Sequence, residues 1–267
     1  MIVKCNSNQQ EYMIEDYIGD EYYKCLYLYM DLKRYGIDSE KIEVYIQLTN
    51  GEIEAIFLIY YSCLHVFSRQ NAFDLFEFWQ YFKKIDFSMI YCERSTAEYL
   101  WQGLFDEVSP FFDMKFGWVA RIDMVDKKDS GKAQVATDDD FFQIVSMIYE
   151  DEDIGKSYNI KELSRQLVER SKEGFSRNYV IKEGNLVIAH ACTNAEVEDI
   201  AVVAELVVNK EYRRQGYASD IWRSLCGDLI SENKMVFSFY YSDGSRALHK
   251  KIGFKEVCVW TKIVKRF

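Results

Sequence analysis

Several residue types that build common kinds of site are scarce in this sequence. Proline occurs once, at Pro110, among 267 residues, and there are only three histidines. The seven cysteines are dispersed and include no C-x-x-C pair, so neither a zinc site nor a disulfide framework is indicated, and no metal is expected. An odd number of scattered thiols is typical of a protein from a reducing compartment.

Acidic residues outnumber basic ones, 43 to 33, and long apolar runs are scarce. The formal net charge is −10, which argues against a general nucleic-acid binder and against binding to an anionic membrane surface. The first residues lack the apolar core of a signal peptide, and the longest mostly apolar run, residues 55–66, is too short to span a bilayer. We therefore expect a cytoplasmic protein with no nucleic-acid partner and no membrane partner.

Apolar residues are plentiful and follow both helical and strand periodicities. They make up 49% of the chain, enough for the core of one large domain or two small ones. Residues 41–49 alternate as a strand does and are followed by Asn50-Gly51, a strong hairpin signal. Residues 20–34 have helical spacing, and Asn71 is the expected N-cap of a helix that runs to Phe82. Strands and helices of this kind alternate along the whole chain.

The two halves of the chain repeat one order of elements. Each half is predicted to contain a helix, a hairpin, a strand, a helix, a strand, a helix and a strand, and a polar segment, residues 125–140, separates them. The text of residues 105–108 (FDEV) also resembles that of residues 254–257 (FKEV). These features predict an internal duplication with domains 1–125 and 126–267. An unrelated α/β cap before residue 125 is the alternative.

The most informative stretch is a predicted strand, a basic turn and a helix at residues 204–231. Apolar positions 218, 221, 222, 225, 226 and 229 lie on one helix face, so Gly216 falls where the helix begins. The first N–H groups of a helix have no intrahelical partner, and its dipole is positive there. Glycine lets a ligand approach the main chain. The pattern predicts a phosphate-binding turn, residues 213–219, which we call the cradle. A surface turn with chance arginines is the alternative.

The motif Arg213-x-x-Gly216-x-Ala218 resembles the coenzyme A loop of the GNAT family of acetyltransferases. The resemblance implies a mixed, mostly antiparallel twisted sheet flanked by helices (an α/β fold) and acyl-CoA-dependent N-acyltransfer with acetyl-CoA as the donor. It also implies that the cofactor's pyrophosphate lies against the cradle, and that its pantetheine arm and acyl carbonyl lie against the preceding strand. The residues implied in cofactor binding are Leu206, Val207, Val208, Arg213, Arg214, Gln215, Gly216, Tyr217, Ala218 and Ser219.

A second family signature follows at residues 242–254. Leu248, Gly253 and Phe254 match it at the family's spacing. Ser242 stands where the family has asparagine, so its hydrogen bond to the cofactor is expected to be weaker. His249 stands at the position of the tyrosine that is often the general acid, and an imidazolium is able to protonate a thiolate. The alternative for His249 is a surface or capping residue.

The general base and the acceptor are less closely specified. By resemblance Glu205, in the strand before the cradle, is the candidate base, with a solvent-facing strand residue as the alternative. The expected acceptor is a primary amine of a small molecule or peptide, bound near residues 151–158 and 240–244. The first half has no glycine in its corresponding turn, residues 68–71, so it is predicted to be a degenerate copy that binds no cofactor.

Other functions remain open from the sequence. If His249 and Glu205 are bystanders, the protein is a non-catalytic acyl-CoA sensor or binding module. Tandem GNAT-like proteins also include enzymes that take an acyl group from another carrier, such as aminoacyl-tRNA, although the acidic net charge argues against one here. The first half is expected either to shape the acceptor groove or to support a homodimer.

Overall fold

The chain forms two compact units. The computed structural model describes residues 1–126, 130–152, 155 and 159–266. The first unit consists of Met1–Val119 with Val257–Phe267, and the second consists of Ala120–Glu256. The end of the chain therefore belongs with the first unit, whereas the sequence analysis placed it in the second domain.

The helices and strands follow one another in a repeating order. The chain begins with β1 (Ile2–Lys4), α1 (Asn8–Ile18), a 3-10 helix (Gly19–Lys24), α2 (Leu26–Tyr35), β2 (Ile42–Thr49), β3 (Glu52–Tyr60), β4 (Cys63–Phe67), α3 (Leu75–Phe82), β5 (Met89–Glu93), α4 (Arg94–Gly103), α5 (Phe105–Val108) and β6 (Phe112–Ile122). There follow β7 (Gln134–Val135), a 3-10 helix (Asp138–Asp140), α6 (Phe141–Glu150), α7 (Ile160–Lys172), β8 (Asn178–Glu183), β9 (Leu186–Glu196), β10 (Ile200–Val208), a 3-10 helix (Lys210–Tyr212), α8 (Tyr217–Ser231), β11 (Met235–Tyr240), α9 (Asp243–Ile252) and β12 (Lys255–Lys265).

Strand pairing is the same in both units. In the first, β1, β2, β3 and β4 pair antiparallel in sequence, and β4 pairs parallel with β5. In the second, β7, β8, β9 and β10 pair antiparallel, and β10 pairs parallel with β11. The last strand, β12, pairs antiparallel with β5. The predicted fold class, a mixed and mostly antiparallel sheet flanked by helices, is confirmed.

Helices cover both faces of the second unit's sheet. Val180 and Val207 belong to a buried cluster with apolar residues of α6 and α7. The neighbouring residue Tyr179 points to the other face, because side chains alternate along a strand, and its hydroxyl donates to Asp228 of α8. The sheet therefore has an α6/α7 face and an α8 face, and this distinction locates the side chains of the site.

Some local expectations for the first unit were wrong. The helix predicted over residues 20–34 is a 3-10 helix followed by α2. Asn71 is not the cap of α3: Asp74 is, and its carboxylate accepts from the N–H of Glu77 at 3.0 Å. Residues 105–108 form α5, whereas residues 255–257 begin a strand, so the similar text of those two segments does not reflect similar structure.

Neither a membrane-spanning helix nor a metal site was predicted from the sequence. No helix in the described ranges is both long and apolar enough to cross a membrane. Within the same ranges, no group of three or more His, Cys, Asp or Glu side chains is placed to hold a metal ion.

Candidate active site

The site begins where two parallel strands separate. β10 and β11 pair from Ile200 with Met235 to Val203 with Ser238. β10 continues to Val208, and in the described part of the chain no pairing with β11 extends beyond Val203. The edge of β10 from residue 204 to residue 208 is therefore open toward β11, and we call this opening the fork.

A β-bulge lies in β10 at the start of the fork. Ala204 pairs with Cys192 and Val207 with His190, so Glu205 and Leu206 stand opposite a single residue of β9. Glu205 has φ +52°, a left-handed conformation that costs roughly 1–2 kcal/mol for a residue with a Cβ atom. Such a conformation inside a strand turns the peptide out of the regular ladder.

The bulge directs the Glu205 carboxylate to the α6/α7 face. Cys192 Sγ donates to Glu205 Oε2 at 3.3 Å, and His190 Nδ1 lies 3.1 Å from the Glu205 carbonyl oxygen. Both partners share the α6/α7 face, since His190 pairs with Val180. Burial and the nearby Glu205 carboxylate raise the pKa of Cys192 well above its usual range, so the thiol stays protonated and remains a donor.

The cradle presents backbone N–H groups without partners. Gly216 is the N-cap of α8 with φ +93°, and Arg214 has φ +63°. The first backbone hydrogen bond of α8 runs from Asp220 N to Gly216 O at 3.0 Å. Among the described residues, the N–H groups of residues 214–219 have no acceptor. They lie at the positive end of the helix dipole, which is the arrangement that binds phosphate.

Arg213 holds the cradle in place through two side-chain hydrogen bonds. Its Nε donates to Val208 O at 3.0 Å, and a terminal nitrogen donates to Asp151 Oδ2 at 3.0 Å. Gln215, also predicted to bind the cofactor, donates its amide weakly to Glu211 O at 3.4 Å. Arg213 thereby ties the turn both to the end of β10 and to the end of α6.

A cavity of about 400 Å³ joins the cradle to the fork. It contains most of the predicted cofactor-binding side chains, but not those of Val207, Gln215 and Ser242. Five further lining residues were not predicted to bind the cofactor, and one of them, Asp151, belongs to a predicted acceptor segment. The lining consists of Asp151, Leu206, Val208, Tyr212, Arg213, Arg214, Gly216, Tyr217, Ala218, Ser219, Ser245, Leu248 and Lys251. Ser245, Leu248 and Lys251 are spaced by three along α9, so helical periodicity would have grouped them.

Cations without carboxylate partners surround this cavity. Arg214 and Lys251 line it, and neither makes an ion pair within the described ranges. Lys132 Nζ lies 5.6 Å from the centre of the Tyr217 ring, and the backbone N–H of Ser130 donates to Asp220 Oδ1 at 2.6 Å. Part of the predicted linker thus lies against the first turn of α8, while its residues 127–129 fall outside the described ranges.

His249, the predicted general acid, is a core residue in the structure. It is 4% exposed, with Nδ1 2.6 Å from Ser245 O and Nε2 2.8 Å from Ser238 Oγ. Its ring centre lies 4.4 Å from that of Trp222. Burial lowers the pKa of His249 to about 4, so the ring is neutral at neutral pH. The acid role stays a prediction that this geometry does not favour.

Ser242 and the predicted acceptor segments are placed as follows. Ser242 is the N-cap of α9, with its hydroxyl accepting from Ser245 N at 3.2 Å. The predicted acceptor segment 240–244 joins β11 to α9. Of the other segment, 151–158, only Asp151, Glu152 and Gly155 lie within the described residues.

Comparisons with known proteins indicate a family for part of the chain and similar folds for the whole of it. Residues 139–254 match the model of the acetyltransferase (GNAT) family, and no curated protein sequence matches the chain. A Drosophila protein of known structure is 12% identical over 98% of both chains, with a TM-score of 0.68. A GNAT-family acetyltransferase from Colwellia psychrerythraea is 9% identical over 100% of both chains, with a TM-score of 0.61.

A third structure is likewise similar over almost the whole chain. A tandem GNAT protein from the clavulanic acid biosynthesis pathway is 10% identical over 99% of this chain and 98% of its own, with a TM-score of 0.59. At such identities the likeness concerns the fold, and the family itself is identified by the sequence match. Residues 139–254 form an acetyltransferase domain of the GNAT family.

Proposed function

We propose that the second unit binds acetyl-CoA and transfers its acetyl group directly to a primary amine of a small molecule or peptide. One observation carries the proposal: the N–H groups of residues 214–219, which have no acceptor among the described residues, open into the cavity that Leu206 and Val208 line. A phosphate site joined to an apolar channel along an open strand edge suits a phosphorylated donor with a long, thin arm.

The charges around the cavity fit such a donor. The chain has a net charge of −10, yet Arg214 and Lys251 line this cavity without ion pairs in the described ranges. Cations left unpaired in an acidic protein attract a polyanionic ligand. Arg214 and Lys251 would neutralise phosphate charge, and the main chain at Gly216 would contact the pyrophosphate directly.

Acyl transfer requires a group that accepts a proton from the amine and donors that bind the acyl oxygen. Bound acetyl-CoA supplies a thioester carbonyl, at which a C–N bond to the amine forms and the C–S bond breaks. Glu205 would accept the proton that the attacking nitrogen loses, directly or through one water, because its carboxylate lies at the start of the fork. The open edge of β10 would donate backbone hydrogen bonds to the acyl oxygen.

The leaving sulfur needs a proton that His249 is poorly placed to give. A neutral ring with both nitrogens engaged is suited to holding α9 in place, and we propose that the sulfur is protonated from solvent. His249→Phe should then lower the melting temperature while the folded variant keeps its turnover. A fall in turnover without a fall in melting temperature would restore the acid role.

Because His249 is buried, a second function, that of a non-catalytic sensor of acetyl-CoA, is also considered. A domain that binds acetyl-CoA without a competent acid or base is a sensor, which binds the donor but turns nothing over. A carrier such as aminoacyl-tRNA is disfavoured because the net charge of −10 opposes RNA binding.

Two measurements separate these functions. Titration with acetyl-CoA should raise the melting temperature, since a ligand that binds only the folded state stabilises it. No shift would count against the donor assignment. Thiol release from acetyl-CoA should then be assayed over a library of primary amines. Release that depends on one class of amine supports the transferase, and binding without release from any amine supports the sensor.

A further inference from the structure

A buried histidine supports the bulge that carries the candidate base. His190 has no exposed surface, and its two ring nitrogens lie 3.1 Å from Glu205 O and 3.0 Å from Asn178 Oδ1. The ring thus joins the backbone of β10 to a side chain of β8. The proposed chemistry gives His190 no direct part, so its contacts need a separate explanation.

The protonation of His190 follows from its partners. Burial lowers its pKa to about 4, so the ring is neutral at neutral pH and carries one N–H. The Glu205 carbonyl is only able to accept a hydrogen bond, which puts that proton on Nδ1. Nε2 must then accept a hydrogen bond from Asn178.

The amide of Asn178 supports this assignment. With its oxygen facing Nε2, two acceptors would meet, while its buried nitrogen has no partner among the described residues. Exchanging the oxygen and nitrogen of the amide, which have nearly the same shape, makes the nitrogen a donor to Nε2. The result is one directed chain of hydrogen bonds from the Asn178 amide through the His190 ring to the Glu205 carbonyl.

These hydrogen bonds end at Glu205, the residue of the fork whose backbone departs most from a regular strand. Glu205 has φ +52°, and its carbonyl faces the ring of His190 on the α6/α7 face. We propose that His190, oriented by Asn178, is a positioning residue that holds the bulge so that Glu205 reaches the attacking amine and the edge of β10 meets the acyl oxygen. This inference rests on the proposed function, since it assigns His190 an effect on acyl transfer.

The test compares two substitutions of His190 with a matched control. His190→Leu removes both hydrogen bonds, whereas His190→Gln keeps an N–H donor and an oxygen acceptor. Tyr179→Phe is the control: it removes the hydroxyl that donates to Asp228 on the α8 face. Amide hydrogen exchange over residues 203–208, acetyl-CoA affinity and thiol release from acetyl-CoA are measured for each, with water and the accepted amine as acceptors.

His190→Leu should speed amide exchange at residues 203–208 and lower thiol release about 100-fold, the cost of misplacing a reacting group by about 1 Å. Acetyl-CoA affinity should persist, because the cradle is unaltered. His190→Gln should recover most of the activity, and Tyr179→Phe should lower stability alone. If His190→Leu does not fold, Asn178→Leu tests the same series of hydrogen bonds, because it removes the donor to His190.

Several outcomes would overturn the inference. Unchanged exchange in His190→Leu would mean that the ring does not hold the bulge. An equal loss of thiol release in Tyr179→Phe would reduce the role to general stability. His190→Gln as impaired as His190→Leu would remove the hydrogen-bond explanation. If the wild type releases no thiol, the proposed function fails, while the exchange measurement still decides whether His190 holds the bulge.

Discussion

The two units differ at corresponding turns, each of which leads from a strand into a helix. In each, a strand that is paired parallel with its neighbour leads through a turn into a helix: residues 68–74 between β4 and α3, and residues 209–216 between β10 and α8. At α3 the protein fills the helix N-terminus with its own carboxylate. At α8 a glycine leaves the N-terminus open.

The closed turn of the first unit is held by several polar contacts. Asp74 caps α3 by accepting from Glu77 N at 3.0 Å, and its own N–H donates to Gln47 Oε1 at 2.7 Å. Glu77 in turn accepts from Ile2 N at 2.7 Å and pairs with the amino terminus of Met1 at 3.1 Å. A phosphate at this helix would meet two carboxylates, so the electrostatics oppose an anion.

The strands before the two turns differ as well. β3 and β4 pair without interruption from Ile56 with Phe67 to Tyr60 with Cys63, whereas the pairing of β9 and β10 is broken by the bulge at Glu205. Among the described residues of the first unit, the strand before this turn therefore has no bulge in its pairing with β3, and the N-terminus of α3 is not open. We propose that it is a copy without a cofactor site, so that acetyl-CoA binds once per chain.

The largest expected effect on turnover comes from substituting Glu205, the residue in the bulge that the first unit does not have at its corresponding strand. Glu205→Gln keeps the shape of the side chain but removes the base, and turnover should fall by about 100- to 10,000-fold, the usual contribution of general base catalysis. Thiol release measured against pH should also lose its acid-side limb. An unaltered pH profile would remove Glu205 from the mechanism.

The open helix terminus is tested by closing it. Gly216→Asp gives α8 a carboxylate like the one that caps α3, and like charges about 4 Å apart near a protein surface repel by about 4 kcal/mol. Acetyl-CoA affinity measured by calorimetry should fall at least about 100-fold. Asp74→Asn is the matched control at the other turn, and its affinity for acetyl-CoA should equal that of the wild type.

Acid sensitivity should be a property that the units share. His65 in the first unit and His190 and His249 in the second are all buried, and burial lowers their pKa values to about 3, about 4 and about 4. Below pH 6.5 the unfolded chain binds protons that the folded chain does not. Each histidine should therefore remove up to about 1.4 kcal/mol of unfolding free energy per pH unit as the pH falls from about 6.5 toward 4.

Chemical denaturation between pH 7.5 and pH 5 measures this slope. His65→Gln and His249→Gln, which each lack one titrating ring, should both show a shallower slope than the wild type. A slope that neither substitution changes would mean that other groups control the acid sensitivity.

The smallest expected effect is at the closed turn. Asp74→Ala removes the cap of α3 and should lower the unfolding free energy by about 1 kcal/mol, the usual contribution of an N-cap side chain. It should leave acetyl-CoA affinity unchanged and create no second site, because Glu77 still opposes an anion there. A second equivalent of bound acetyl-CoA in this variant would contradict the comparison.

Local sequence patterns were sufficient to predict the strand, the turn and the helix that make up residues 204–231. An apolar strand, Gly216 and the helical spacing that starts at Ala218 lie within a few residues of one another, and each constrains the backbone by itself. The cap of α3 was harder, because Asn71 and Asp74 are both good capping residues and the choice depends on Gln47, which is distant in sequence. Asn71 takes φ +51° instead.

Features that depend on pairing between distant segments were not predictable in this way. The bulge exists because two residues of β10 oppose one of β9, and no local signal at Glu205 marks the skipped partner. The pairing of β12 with β5 joins Trp260 to Glu93, far apart in the chain. The predicted helix that carries His249 is present as α9, but the burial of His249 against Trp222 depends on how α9 packs.

A crystal structure of the protein with acetyl-CoA tests the central claim most directly. We predict one molecule per chain, with pyrophosphate oxygens within hydrogen-bonding distance of the N–H groups of residues 214–219, and none at residues 68–74. The acyl carbonyl should lie in the fork beside the bulge at Glu205. A donor bound at the turn before α3, or bound away from the first turn of α8, would contradict the account.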